Sequence, residues 1–206
     1  MLRRWLAGQY TRPSGWLGRH LVGPYLDRLS RGMNRFALER LEVHPGDWVL
    51  EVGFGGGALL VSLLEKGARV IGVDASDAMV ERARGRFRRA ITAGALQLHP
   101  AKAENLPLVD ASVERAVSVN SLYFWKPAAF AELGRVVRPG GRLVLCFQAP
   151  EAVRAWPGHV FGFGVFTEGD VAALMESAGF TIAASERRVD PKLGAFFCLT
   201  GLRSAA

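Results

Sequence analysis

The chain is poor in cysteine, in lysine and in long apolar runs. Cys146 and Cys198 are its two cysteines, and each sits inside an apolar stretch. Reduced buried thiols are therefore expected rather than a disulfide scaffold, with a bridge open to the pair if their strands are neighbours. No apolar run approaches the ~20 residues that a membrane-spanning helix needs, so a soluble protein is expected. The basic start Met1-Leu2-Arg3-Arg4-Trp5 leads into no sustained apolar segment. That disfavours a secretory signal and points to a cytoplasmic location.

Acidic residues are outnumbered, and the net charge is +7. The excess is mostly arginine. It gathers at the N-terminus (Arg3, Arg4, Arg12, Arg19, Arg28, Arg31, Arg35, Arg40) and again at Arg82, Arg84, Arg86, Arg88 and Arg89. Such clusters fit either an anionic partner or a solvated helix face. Only Phe87 interrupts the second cluster, whereas a single-stranded nucleic acid needs stacking platforms. Nucleic acid is not the expected partner.

What is present is enough for a proper core. At 206 residues, half of them hydrophobic, one domain of ordinary size is expected and disorder is excluded. Strands are predicted near 47–52, 69–74, 94–99, 114–120, 141–147, 180–188 and 193–202, with helices at 57–66, 76–90, 127–137 and 168–178. Ser76 and Thr167 stand as N-caps, and Thr167-Glu168-Gly169-Asp170 is close to a capping box. Gly67 and Gly179 fall where helices should end. This alternation predicts an α/β fold: a three-layer, doubly wound, seven-stranded, mostly parallel sheet. The last two strands have no room for a helix between them and should form a C-terminal antiparallel hairpin. Residues 15–42 read as two helices, so 1–45 is expected to be an N-terminal helical cap on the domain formed by 46–206.

The joint at Val49-Leu50-Glu51-Val52-Gly53-Phe54-Gly55-Gly56-Gly57 carries the functional signal. An apolar strand stops at a glycine-dense turn and a helix follows, which lets a nucleotide-like ligand approach the backbone. Gly53-Phe54-Gly55-Gly56-Gly57-Ala58 satisfies the dinucleotide fingerprint, and Asp74 stands where a ribose-binding acid is wanted. Glu51 pulls the other way: a carboxylate beside a pyrophosphate is awkward, but it suits a cofactor carrying an ammonium group.

Glu51-x-Gly53-x-Gly55-x-Gly57 resembles the first signature of class I S-adenosylmethionine (SAM)-dependent methyltransferases. Val70 to Ser76 resembles their second strand with its ribose acid, and Ala103-Glu104-Asn105-Leu106-Pro107-Leu108 their adenine-side loop. Arg138-Pro139-Gly140-Gly141-Arg142-Leu143 and Ser177-Ala178-Gly179-Phe180 resemble the turns into their fifth and sixth strands. The stretch Val119-Asn120-Ser121-Leu122-Tyr123-Phe124-Trp125 is similar to that of the ubiquinone/menaquinone-type small-molecule enzymes. The resemblance implies SAM as cofactor, with S-adenosylhomocysteine (SAH) as product, and methyl transfer to a small, apolar or aromatic organic acceptor by in-line displacement. It also implies roles. Gly53 and Gly55 let the backbone approach the cofactor, Glu51 lies near its ammonium, and Asp74, beside Ala75, accepts from the ribose hydroxyls. Phe54 or Met79 packs on sugar or adenine, the backbone at Lys102 and Ala103 faces the adenine edge, and Asn120 lies under the methionine moiety. Lys102 departs from the aspartate common at that place: either Glu104 accepts from the adenine amino group instead, or that contact is missing and cofactor affinity falls.

No strong general base is evident, and none is needed for an acceptor already nucleophilic. His20 in the cap and His159 in Pro157-Gly158-His159-Val160-Phe161-Gly162-Phe163-Gly164 are the candidates, with His159 preferred as catalytic residue. Asn120-Ser121-Leu122-Tyr123 lacks the paired prolines of amide-nitrogen methylation, and no His/Asp/Asn cluster suggests a metal. Trp16, Tyr25, Met33, Tyr123, Trp156, Phe161 and Phe163 are expected to line an acceptor pocket under the cap. A homodimer stays open. Two rival readings also stay open: a nicotinamide-dependent oxidoreductase, although no Tyr-x-x-x-Lys pair is present, and a non-catalytic binding protein that keeps the fold.

Overall fold

The computed structural model describes residues 29–156, 159–160 and 162–205. Among the described residues there are seven strands: β1 Trp48–Val52, β2 Arg69–Asp74, β3 Leu96–Pro100, β4 Val113–Val119, β5 Val137–Gln148, β6 Phe180–Asp190 and β7 Gly194–Arg203. They form one sheet in the order β3-β2-β1-β4-β5-β7-β6. The β1–β2, β1–β4, β2–β3 and β4–β5 pairs are parallel, while β7 runs antiparallel to both β5 and β6. The expected sheet and terminal hairpin are both there.

The helices between them make the outer layers. Those described are α1 Arg31–Leu41, α2 Ala58–Glu65, α3 Asp77–Arg86, α4 Arg88–Thr92, α5 Ala128–Val136, α6 Pro150–Ala155 and α7 Glu168–Ser177. Adjacent β1 residues feed opposite cores, as the two-residue period of a strand requires. Val49 packs with Met33, Leu41, Leu60 and Leu63 on one face, and Leu50 with Phe130, Leu133, Val171 and Met175 on the other. The strands buried on both faces are continuous apolar runs for that reason.

Local signals hold where capping chemistry drives them. Ser76 Oγ accepts from Met79 N, and Thr167 and Asp170 form a reciprocal capping box at the start of α7. Three boundaries differ. The helix expected over 76–90 breaks at Phe87, because Gly85 weakens its last turn and the Phe87 ring turns inward against Gly57. The turn Arg138-Pro139-Gly140-Gly141 is a bulge within β5: the register jumps from Val113↔Val137 to Arg115↔Arg142, and Gly140 takes φ +74°. The short α6, not expected, begins with Pro150 in its first turn, a residue pre-set for that position.

Of the helices expected over 15–42, α1 is described, and residues 1–28 lie outside the described residues. α1 packs on β4, β5 and β7 beside α2. The Arg40 guanidinium fixes it to β6, donating to Glu186 from Nε at 2.6 Å and from Nη2 at 3.1 Å. Cys146 and Cys198 face each other across β5 and β7, buried and unbridged. Among the described residues, no helix is long and apolar enough to cross a membrane.

Candidate functional site

The strand order reverses between β1 and β4, and open α/β sheets bind ligands in the crevice at that switch, beyond the strand C-termini. A cavity of about 450 Å³ lies there. All ten residues expected at a cofactor line it: Glu51, Gly53, Phe54, Gly55, Asp74, Ala75, Met79, Lys102, Ala103 and Asn120.

Its floor is the turn after β1. Gly53 sits at φ +79°, and a Cβ there would lie 2.4 Å from Ser121 Cβ, so the turn after β1 and the loop after β4 interlock. The Ser121 hydroxyl donates to Val52 O at 3.1 Å. Gly55 is different: its φ is +52°, yet a Cβ there would meet nothing within 4 Å. It would project into open space beside the cavity wall. One glycine is required by the neighbouring loop; the other keeps a surface bare.

Asp74 closes β2 opposite that bare surface. Its Oδ2 accepts from Gly55 N at 2.9 Å and its Oδ1 from Ser76 N at 2.8 Å. Burial raises its pKa above the usual carboxylate value, with the two amide donors opposing the shift. Each oxygen keeps a lone pair for a second donor. Glu51, 4% exposed near the end of β1, adds a second carboxylate to the same wall. Phe54 and Met79 are buried apolar contributors. Lys102 is exposed at the rim. Glu104 is held by Lys126 N, which donates to its Oε1 at 2.7 Å.

The far end of the cavity is aromatic. Tyr123, Phe124, Trp125 and Phe163 line it, with Phe124 and Phe163 edge to face at 4.7 Å between centroids. Trp156 lies behind Phe163, at 4.9 Å. Asn120 holds the junction between the two ends in a left-handed conformation, φ +55°. Its amide donates to Ser30 Oγ at 3.2 Å, while its carbonyl accepts from the Tyr123 hydroxyl at 2.8 Å. Burial pushes the Tyr123 hydroxyl well above its usual pKa.

Not every expected residue converges. Met33 and Trp156 are packed behind the cavity wall rather than among its lining residues. His159 is also not among them; its Nδ1 lies 2.7 Å from Trp156 O. Trp16, His20, Tyr25 and Phe161 lie outside the described residues. Sequence reading missed Ser30, Asn34, Gln148 and Leu193, which also line the cavity. Gln148 ends β5, so the rule that ligands sit beyond strand C-termini would have found it. Ser30 and Leu193 carry no sequence signal of that kind. Among the described residues, no three His, Cys, Asp or Glu side chains gather to hold a metal.

SAM fits this donor set. It has an ammonium for a buried carboxylate, two ribose hydroxyls for an acid with free lone pairs, and an adenine for apolar walls, and Gly55 leaves the space beside its backbone open. The comparisons agree. Residues 50–145 match the family model described as a methyltransferase domain. The uncharacterised methyltransferase sll0829 of Synechocystis is 30% identical over 162 residues, covering 72% of this chain and 74% of that protein. The O-methyltransferase cnsE of Penicillium expansum is 31% identical over 188 residues, covering 85% of this chain. The chain spans 64% of that relative's length. A geranyl diphosphate methyltransferase solved with SAM superposes with a TM-score of 0.75 at 17% identity, over 95% of this chain and 94% of its own. The fold and the cavity define a class I, Rossmann-like transferase. The chain belongs to the SAM-dependent methyltransferases, and SAM is its cofactor.

Proposed function

We propose that the chain methylates a small organic acceptor with an apolar or aromatic body. The observation that carries this reading is that one cavity holds both walls: Glu51, Gly55 and Asp74 at one end, Tyr123, Phe124 and Phe163 at the other. A substrate lying across Asn120 would meet both. In this reading Asp74 accepts from the ribose hydroxyls, Glu51 balances the ammonium, and Phe54, Met79 and Ala103 enclose the adenosine. Gly53 and Ala75 shape the turns around it, and Lys102 borders the adenine edge. The cofactor supplies a sulfonium-activated methyl group. The protein's part is alignment and exclusion of water, which in well-oriented systems accounts for about 7–11 kcal/mol of a barrier.

An acceptor that is nucleophilic as bound fits this arrangement. The relative cnsE is named an O-methyltransferase, which supports oxygen as the atom methylated. The likeness of 119–125 to quinone-type enzymes supports an aromatic ring bearing that oxygen. The N-terminal segment up to 45 would complete the acceptor side as a cap, since Leu29, Ser30 and Asn34 already contribute to the wall.

Calorimetric titration with SAH and NADH, followed by an acceptor screen scored by SAH release, tests the reading. SAH binding that Asp74→Ala weakens, with turnover of an apolar hydroxylated acceptor, supports it. NADH binding without SAH binding would overturn it.

A further inference from the structure

We propose that the acceptor is an amphiphile carrying an anionic group, and that Arg31, Arg35 and Lys192 form the subsite for that group. The proposal rests on the methyltransferase reading of the cavity and extends it to the substrate class.

A second cleft, of about 350 Å³, adjoins the first. Its lining is Leu29, Arg31, Gly32, Arg35, Asp190, Pro191 and Lys192. Leu29 lines both spaces, and three chain neighbours divide between them: Ser30 with Arg31, Asn34 with Arg35, and Leu193 with Lys192. The cofactor cavity therefore leads past Leu29 to a wall that holds, among the described residues, three cations and one carboxylate.

That wall is built, not incidental. Arg31 and Arg35 stand four residues apart on α1 and so share a face, where like charges repel. Lys192 is brought to them by the β6–β7 turn. Asp190 Oδ1 fastens this turn, accepting from Lys192 N at 2.8 Å and Leu193 N at 3.1 Å. Gln148 Nε2 donates to Leu193 O at 2.7 Å and ties the turn to the end of β5. The turn also lies against the helix backbone at Gly32, where a Cβ would stand 2.4 Å from Asp190 Oδ2. A residue with a side chain at 32 would push the lysine away.

Several arginines elsewhere are matched to carboxylates: Arg40 with Glu186, Arg115 with Asp47, Arg135 with Glu132 and Asp110, Arg142 with Glu42. Among the described residues, Arg31, Arg35 and Lys192 form no such ion pair. Among the described residues lining the cleft, Asp190 is the one carboxylate, and its Oδ1 is committed to the turn. The excess positive charge is satisfied by an anion from outside, and a phosphate or carboxylate on the acceptor meets that need. The apolar body would then lie toward Phe124 and Phe163, with its reactive end near Asn120.

Calorimetry on the SAH-saturated full chain tests this with octyl phosphate, octanoate and 1-octanol, each below its aggregation limit. Octyl phosphate should bind at least about tenfold tighter than octanol, the effect expected of one charge-assisted contact, and octanoate should also exceed octanol. The triple substitution Arg31→Ala, Arg35→Ala, Lys192→Ala should erase that preference and leave octanol and SAH binding unchanged. Equal affinity for the anions and the alcohol, or a preference that survives the substitutions, would overturn the proposal. So would adsorption to phosphatidylglycerol vesicles without saturable one-to-one binding of octyl phosphate. Loss of SAH binding by the unsubstituted chain would instead strike the methyltransferase reading, which separates the two failures.

Discussion

The Tyr123 hydroxyl donates to Asn120 Oδ1 at 2.8 Å and accepts from Gln148 N at 2.6 Å, so one buried phenol joins the ends of β4 and β5. Tyr123→Phe keeps the ring packing but leaves the Gln148 amide and the Asn120 carbonyl without this partner. A stability loss of about 1–3 kcal/mol is expected from such orphaned buried groups. Urea denaturation measures it, and SAH affinity should fall in parallel because Asn120 lines the cavity.

Gly53 and Gly55 predict opposite phenotypes for the same substitution. Gly53→Ala drives a methyl into Ser121 and should leave little folded protein. Gly55→Ala meets open space, so its cost is the left-handed backbone alone, about 1–2 kcal/mol. That variant should fold and fail to bind SAH. Circular dichroism beside calorimetry distinguishes them, and a Gly55→Ala protein with undiminished SAH affinity would remove Gly55 from the cofactor wall.

Asp74 ties cofactor affinity to pH. Its folded pKa is raised, so between the ordinary carboxylate value and the raised one the folded chain holds a proton that the unfolded chain has released. Its contribution to stability is therefore greatest below that window and is lost as pH rises through it. In the proposed reading binding runs the other way, because the ionised form would accept from two ribose hydroxyls. SAH affinity should fall as pH is lowered into the window, and Asp74→Ala should bind at least about tenfold more weakly with that limb gone. A titration series of dissociation constants against pH reads both effects.

Cys146 and Cys198, 0% and 1% exposed, should be silent toward a thiol reagent in the native protein. Burial raises the pKa of the Cys146 thiol far above its usual value, which removes the reactive thiolate as well as access. Both should react once denaturant unfolds the chain. Ellman's reagent followed across an unfolding curve checks this, and rapid native reaction would mean that the β5–β7 seam opens.

Much of this was readable from residue order. The strand-glycine-helix joint, Glu51, Asp74 and the run of later turns placed seven strands and one wall of the cavity, because each depends on local chemistry: a glycine torsion, a cap, a period of two. What was not readable depends on residues distant in sequence. Phe87 breaks its helix because Gly57 leaves room for a ring, thirty positions earlier. His159 looked suited to proton transfer by residue type, yet it is not among the residues lining the cavity. Arg31 and Arg35 read as part of a diffuse basic segment until the turn at Asp190 set Lys192 beside them.

The position of β7 between β5 and β6 has a consequence for synthesis. β6 emerges from the ribosome before β7 and, among the described strands, is hydrogen-bonded to β7 alone. Until residues 194–203 are made, one edge of β5 is bare and β6 has no sheet to join, the kind of exposed edge that invites pairing with another chain. Residues 194–203 thus act as a closing stitch. A nascent chain is open to misassembly until they are available, and their insertion, rather than the folding of any earlier half, is the moment at which the sheet becomes whole.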